Sequence, residues 1–173
     1  MNPIVLSSQQ RQRGAKSIEF ALVFPVFFAL FYAILMYGFA YLAQLTLQHA
    51  AEDGARAALE FPGPSASGAA DLAARQAHAR AVATQQASWL APLEAVEVSI
   101  CAAGSFCSGD TLDTAACTRE TAYSTRCEVV VTLRHAYGSS PVVPSLPGLK
   151  LLLPASLQGS ARSLLDGRSL PAS

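Results

Sequence analysis

Four cysteines lie close together in the second half of the chain, and their thiols are the first groups that could do chemistry. They are Cys101, Cys107, Cys117 and Cys127. An even number of cysteines in a segment outside the cytoplasm is typical of disulfide bonds, and four cysteines allow three pairings. We favour the nested pairing, Cys101–Cys127 with Cys107–Cys117, because its outer bridge would join the ends of two predicted strands. Zinc binding is the alternative, although the sequence lacks the C-x-x-C spacing common in structural zinc sites.

A second chemically distinctive group lies near the N-terminus, where Arg13 and Gly14 precede a single carboxylate, Glu19, at the edge of an apolar run. Insertion scales assign about +2.5 to +3.5 kcal/mol to Asp at the centre of a membrane helix, and less near its ends. Glu19 therefore either stays solvated at the interface or has a positive partner. Cleavage of the Gly14–Ala15 bond would create such a partner, because the new α-amino group of Ala15 could pair with Glu19 of an adjacent subunit.

Motifs for catalysis or cofactor binding are absent from the sequence. It contains no G-x-S-x-G, no H-E-x-x-H and no Rossmann glycine pattern. His49, His78 and His135 lie on separate predicted elements, which favours structural roles over metal binding. The formal net charge is zero, so the chain has no basic surplus for nucleic acid. We expect no enzymatic activity, no cofactor, no metal and no small-molecule substrate.

The uncharged run from Phe20 to Ala43 explains the composition of the chain. Hydrophobic residues make up 51% of the 173 residues and charged residues only 14%, which excludes a disordered chain. About 20 helical residues cross a bilayer, so the run is long enough to span a membrane with some tilt. A buried core helix and a cleaved secretory signal are the alternatives. Pro25 lies inside the run and predicts a kink near its start, because it frees the carbonyl of Ala21.

Charges on either side of this run predict its orientation. Basic residues precede it, whereas the first basic residue after it is Arg56, which follows Glu52 and Asp53. The positive-inside rule therefore places the N-terminus in the cytoplasm and the C-terminal domain outside. The preceding basic residues are Arg11, Arg13 and Lys16.

The N-terminal junction resembles that of type IV prepilins, whose leader is cut after a Gly by a membrane aspartic peptidase. In that family a Glu at the fifth mature position guides assembly. The resemblance aligns Gly14 with the residue before the cut, Ala15 with the new N-terminus and Glu19 with the guiding glutamate.

A closer resemblance is to the TadE-like pseudopilins of the tight-adherence, or Flp pilus, system. Their typical start, R-G-x-x-x-x-E-F-A-L-V-x-P, is similar to residues 13–25, and their A-x-x-G-A-R-A-A segment is similar to residues 51–58. Major Flp pilins usually have Tyr after the Glu and are far shorter, so Phe20 and the long outer domain fit the pseudopilin class better. The length also argues against the large TadG type.

That resemblance implies a set of partners and a location. The partners are membrane lipid, the prepilin peptidase, other pilins or pseudopilins and the inner-membrane pilus assembly platform. The location is the bacterial inner membrane, which the chain crosses once with its N-terminus in the cytoplasm and its outer domain in the periplasm. The resemblance also allows incorporation of the protein into a pilus.

The remaining sequence predicts an α+β fold of pilin-like organisation. We expect a leader at 1–14, one helix from about Ser17 to Leu59 within a segment 15–60, a linker at 61–70 and an outer domain at 71–173. Asp71 is a predicted N-cap for a second helix that ends near Trp89. Alternating residues predict strands at 95–100 and 129–134 and a weaker one at 156–164, and four prolines make 138–154 a loop.

Two classes of function fit these features. One is a minor pilin or pseudopilin that helps to assemble a Flp-type pilus for surface attachment. The other is a static, membrane-anchored envelope protein whose outer domain scaffolds a secretion or assembly complex. Cleavage of the leader separates them, because a static anchor would keep its N-terminus.

Overall fold

The computed structural model describes residues 9–60, 68–91, 93–105, 107, 109–144 and 153–170, with the backbone alone at 9–16, 123–125 and 169. Among these residues, three helices and one antiparallel sheet of three strands confirm the predicted α+β class. The helices are α1 (Gln9–Ala57), α2 (Gly68–Gln86) and α3 (Arg119–Thr125). The strands are β1 (Ala95–Ala102), β2 (Cys127–His135) and β3 (Leu157–Leu165). The described residues also form 3₁₀ turns at Ser88–Leu90 and Gly167–Ser169.

Helix α1 continues without interruption through Pro25. Among the described residues, its part Ser17–Ala57 is the one helix long and apolar enough to cross a membrane. It therefore fits a single-pass membrane anchor. The kink at Pro25 stays a prediction.

The chain divides into two compact units between Phe39 and Ala40. In the first unit large apolar side chains are exposed along the helix, as at Leu22 (72%) and Ile34 (70%). Apolar surface on this scale is unfavourable in water, so the first unit needs lipid or other apolar helices around it.

The sheet of the second unit has β2 at its centre, paired with β1 on one side and β3 on the other. Val131 of β2 lies opposite Val98 of β1 and Ala161 of β3. Because successive side chains alternate between faces, one face is apolar and buried and the other is polar. The buried face carries Val98, Ile100, Val129, Val131 and Leu133, each 0% exposed.

Residues of α1 beyond Ala40 cover this buried face together with α2, and Gly54 permits their close crossing. A Cβ atom at Gly54 would lie 2.9 Å from the Cβ of Ala83, 3.1 Å from the carbonyl oxygen of Ala79 and 3.3 Å from Cγ1 of Val131. Only a residue without a side chain allows the two helices and the strand to approach so closely. The alanine-rich sequence of α2 serves the same contact, since Ala79 and Ala83 are fully buried.

The outer edge of β3 is paired with α1 rather than with another strand. The side-chain amide of Gln48 donates to the carbonyl of Ser160 at 3.1 Å and accepts from its N–H at 3.4 Å. Gln44 donates to the carbonyl of Gln158 at 2.8 Å. Two glutamines one helical turn apart thus satisfy main-chain groups that an edge strand leaves open.

The outer edge of β1 is satisfied by the loop that follows it. Asp110 accepts a hydrogen bond from the N–H of Val98 at 3.0 Å. The N–H of Ile100 donates to the carbonyl of Thr111, and the N–H of Asp113 donates to the carbonyl of Ile100, both at 2.9 Å. These hydrogen bonds hold the loop on the strand.

A buried arginine closes the C-terminal end of α1. Arg75 of α2 is fully buried, and its Nε donates to Oδ2 of Asp71 at 2.8 Å. Its Nη1 donates to the carbonyls of Ala58, Leu59 and Glu60 at 3.1, 3.2 and 3.2 Å. These three carbonyls directly follow the last residue of α1, Ala57, near the negative end of the helix dipole, so a guanidinium there is stabilising.

Several predicted boundaries need correction. Asp71 is not an N-cap, because α2 begins at Gly68 and the buried carboxylate of Asp71 binds Arg75 instead of free N–H groups. Helix α2 ends at Gln86, before the 3₁₀ turn that contains Trp89. Helix α3 was not predicted; it begins with a capping box between Thr118 and Thr121.

Parts of the predicted leader, linker and outer domain lie outside the described residues. They are residues 1–8 of the leader, 61–67 of the linker, and 92, 106, 108, 145–152 and 171–173 of the outer domain, where 145–152 belong to the proline-rich loop.

Candidate functional site

The candidate site begins at Glu19 on the membrane-type helix. Its side chain is exposed, and no hydrogen bond or ion pair joins it to another described side chain. Phe20, the next residue, is 67% exposed. A carboxylate at the start of an exposed apolar surface is thus open to a partner from outside the chain.

The predicted cleavage bond lies in the same helix. Because α1 begins at Gln9, Gly14 and Ala15 belong to its helical backbone. Their distance along the chain from Glu19 places the bond about one helical turn before the carboxylate. The structure thus puts Gly14, Ala15, Glu19 and Pro25 on one helix, whereas the four cysteines belong to the second unit.

An aromatic ladder follows Glu19 along the helix. The ring centroids of Phe20 and Phe24 are 5.4 Å apart, those of Phe24 and Phe28 6.0 Å, and those of Phe28 and Tyr32 6.1 Å. Residues four apart lie on the same face of a helix, so the four rings form a continuous aromatic stripe. The sequence shows the apolar run and the four-residue spacing of these aromatic residues, but the ladder was not predicted from it.

Residues 14–56 contain the Gly14–Ala15 bond, Glu19, the aromatic ladder and Gly54, and they match the family model for the TadE-like proteins. This segment is similar to the TadE-like proteins. The match confirms the resemblance recognised from the sequence motifs, and it spans about a quarter of the chain. No curated protein and no solved structure matches the chain.

The TadE-like segment extends into the second unit and includes the glycine of its G-A-R-A-A motif. That glycine is Gly54, at the tight crossing of α1 with α2 and β2. Arg56 of the same motif is exposed. The close crossing explains why the motif has a glycine at position 54. From the sequence, the motif indicated only a family resemblance.

The four cysteines form two bridges between neighbours in the sequence. Cys101 pairs with Cys107, with Cα atoms 6.3 Å apart, and Cys117 pairs with Cys127, with Cα atoms 5.7 Å apart. Both separations lie in the usual range for disulfides. No thiol of the four is left free for zinc.

The nested cysteine pairing favoured from the sequence is therefore wrong. Cys101 lies opposite Glu128, and Cys127 lies opposite Ala102, in the antiparallel pairing of β1 and β2. Their side chains thus project from opposite faces of the sheet. The backbones of Cys101 and Cys127 lie on neighbouring strands, but their side chains lie on opposite faces of the sheet and cannot form a disulfide.

The three histidines lie on three different elements, α1, α2 and β2. His135 is 2% exposed, and its Nε2 lies 3.2 Å from the carbonyl oxygen of Ser140. His78 lies 3.4 Å from Oε2 of Glu60, and His49 is exposed.

Tyr137 carries a buried hydroxyl for which the described residues offer no hydrogen-bond partner. Its side chain is 0% exposed, and burial raises the pKa of Tyr137 above its ordinary value of 10.0. Between these two pKa values the folded state binds the proton more tightly than the unfolded state. This group therefore leaves stability constant below about pH 10 and lowers it as the pH rises further.

Tyr137→Phe should stabilise the protein by about 1 kcal/mol at neutral pH, since it removes an unpaired buried polar group. It should also weaken the loss of stability above about pH 10. Denaturant unfolding of the detergent-solubilised chain across a pH series measures both effects. Destabilisation by Tyr137→Phe would show that the hydroxyl makes a stabilising hydrogen bond.

The structural roles of three residues in the second unit were not predicted from the sequence. Gly54 and Gly159 lie where backbones approach closely, and Arg75 lies in a helix that reads as polar. An Asp and an Arg four residues apart, as at 71 and 75, predict an ion pair on a helix. That spacing was the one available signal, and it does not reveal burial.

Proposed function

We propose that this chain is a minor pilin or pseudopilin that takes part in assembling a Flp-type pilus. The TadE-like match associates the chain with the tight-adherence pilus system. Glu19 carries the finer proposal, because it is an exposed carboxylate at the start of an exposed apolar helix. No described side chain of its own chain neutralises it.

The proposed mechanism joins processing to assembly. Cleavage after Gly14 releases the leader and leaves a positively charged α-amino group on Ala15. In an apolar environment an unpaired carboxylate is strongly unfavourable, and a close positive charge offsets much of that penalty. Glu19 of one subunit paired with Ala15 of its neighbour would therefore fix the register between subunits, and the apolar helix would pack beside its neighbours.

This proposal includes the topology and the partners implied by the family. The leader 1–14 is cytoplasmic, the segment 15–60 is anchored in the inner membrane, and the domain 71–173 follows the linker 61–70 into the periplasm. The prepilin peptidase acts on the leader, and other pilins and the assembly platform contact the processed chain. The role is adhesive and structural rather than catalytic.

Leader processing is tested by the intact mass of the protein from cells with and without the prepilin peptidase. We expect a mature chain that begins at Ala15 only when the peptidase is present. Gly14→Leu should block processing, because a peptidase that fits the backbone closely excludes a side chain there. Gly38→Leu is the matched control, since its Cβ meets nothing within 4 Å and it lies on the same helix far from the bond.

Assembly is tested by Glu19→Ala, which should be inserted and processed normally but fail to support piliation. Glu19→Gln should fail equally if charge rather than size is required. Glu120→Ala, which removes an exposed carboxylate from α3, is the matched control and should assemble like the wild type. Wild-type piliation and partner binding by Glu19→Ala would contradict charge pairing and favour a static envelope anchor.

A further inference from the structure

An exposed tryptophan marks one end of the second unit. Trp89 is the single tryptophan of the chain and is 46% exposed, while its neighbour Leu90 is 2% exposed and anchors the 3₁₀ turn. Val142, 40% exposed, and Pro141 lie beside it on the same concave surface. None of the described residues that line this surface is an acid, a lysine or an arginine. We call Trp89, Pro141 and Val142 the tryptophan patch.

The tryptophan patch lies at the end of the unit where α1 enters it. Helix α1 and strand β3 run in the same direction, since Gln44 bonds to Gln158 and Ala55 further along bonds to Ser163. Strand β2 runs the opposite way and ends at His135 beside the start of β3. His135 also lines the tryptophan patch.

Burial of Ala40 and Ala43 shows how far this end of the unit reaches along the apolar run. They are 7% and 0% exposed and belong to the same buried cluster as Leu90 and Tyr137. About 20 helical residues cross a hydrocarbon core about 30 Å thick, a length that the run from Phe20 reaches near residue 39. Residues 40–43 would then lie in the headgroup layer, where other residues of the second unit bury Ala40 and Ala43.

We propose that the tryptophan patch contacts the headgroup layer and docks the second unit on the bilayer surface. Tryptophan is enriched at this depth, because its ring is apolar and its N–H still finds polar partners. Lipid is favoured over a protein partner because the patch lies where the chain leaves the membrane run. The proposal rests on membrane anchoring by α1 and requires neither leader cleavage nor Glu19.

Fluorescence of the single tryptophan tests this contact directly. The full chain is reconstituted into vesicles of phosphatidylethanolamine and phosphatidylglycerol whose acyl chains carry bromine close to the headgroup. We expect bromine to quench Trp89 and its emission to shift to shorter wavelength relative to detergent. Val142→Asp places a charge on the exposed patch and should reduce both effects without unfolding the unit.

The matched control moves the reporter to the other end of the unit. Leu59 is 41% exposed and lies just beyond the end of α1 at Ala57, which is about 25 Å from Ala40 along the helix at 1.5 Å per residue. In Trp89→Phe/Leu59→Trp the new tryptophan should escape quenching. Equal quenching at both positions, or none at Trp89, would overturn the proposal. Shielding of Trp89 that rises with protein density in unbrominated vesicles would also overturn it, in favour of contact with a second copy.

Discussion

Arg75→Ala should destabilise the second unit by about 3–5 kcal/mol, the range for removing one partner of a buried ion pair. The change leaves the carboxylate of Asp71 buried at 0% exposure without its partner. It also removes the donor that binds three carbonyls at the end of α1. Denaturant unfolding of the detergent-solubilised chain, followed by the emission of Trp89, measures the loss.

Two variants define the origin of that loss. Arg80 lies in α2 like Arg75, and Arg80→Ala breaks its ion pair with Asp110 of the loop after β1. Both side chains are partly exposed, so this change should alter stability by at most about 1 kcal/mol. Asp71→Leu/Arg75→Leu should lose less than Arg75→Leu alone, because no charge is left unpaired. Equal effects of Arg75→Ala and Arg80→Ala would show that Arg75 does not close α1.

Gly159→Val should destabilise the second unit by about 3 kcal/mol, at the upper end of the range for overpacking a core. A Cβ at this position would lie 2.7 Å from the backbone nitrogen of Gln48 and closer still to the carbonyl of Leu47. Those atoms belong to a helical backbone and cannot rotate aside as a side chain can. The helix must therefore move away, and the bonds between Gln48 and Ser160 are lost.

A matched control comes from the same strand. Gln158→Val introduces the same residue on the open face, where its main-chain bond to Gln44 is unaffected, and should change stability by less than about 0.5 kcal/mol. Unfolding measurements on the two variants compare them directly. If Gly159→Val were as stable as Gln158→Val, α1 would not cross β3 at this point.

The regular elements were predictable because their sequences repeat with the period of their structure. In β1 and β2 apolar residues alternate, as at Val96, Val98 and Ile100, so both strands and their buried face follow from the sequence. Strand β3 was weaker in the sequence, because Gly159 and Ala161 occupy its buried face. Small residues there make room for α1, and room for a neighbour has no signature in one chain.

The sequence did not reveal which side chains bind each other. The position of Asp71 before an alanine-rich helix suggested a cap, and only the helix start at Gly68 reveals its partner, Arg75. Likewise the strand ends near Cys101 and Cys127 suggested a bridge between them. The alternation that predicts the two strands already places Cys101 and Cys127 on opposite faces of the sheet, whereas the loop cysteine that each one binds is seen only in the structure.

At the candidate site, the sequence was informative about residue types and silent about surroundings. The positions of Glu19 and Pro25 on one helix follow from the apolar run, whereas Gly14 was expected in a leader before the helix, which begins at Gln9. Exposure of Glu19 and the continuous ring contacts of the ladder required the structure, because they depend on what packs against the helix.

The two glutamines that bind the edge of β3 also determine which fragments of this protein can be prepared in soluble form. An open strand edge is a template for other strands, and exposed edges promote aggregation. A fragment that begins in the linker after α1 would lack Gln44 and Gln48, and the edge at Gln158 and Ser160 would be bare. The same cut would uncover the apolar face of the sheet beneath α1. A soluble form of the outer domain therefore has to retain α1 from about Ala40 onward, so that part of the helix guards the sheet against self-association.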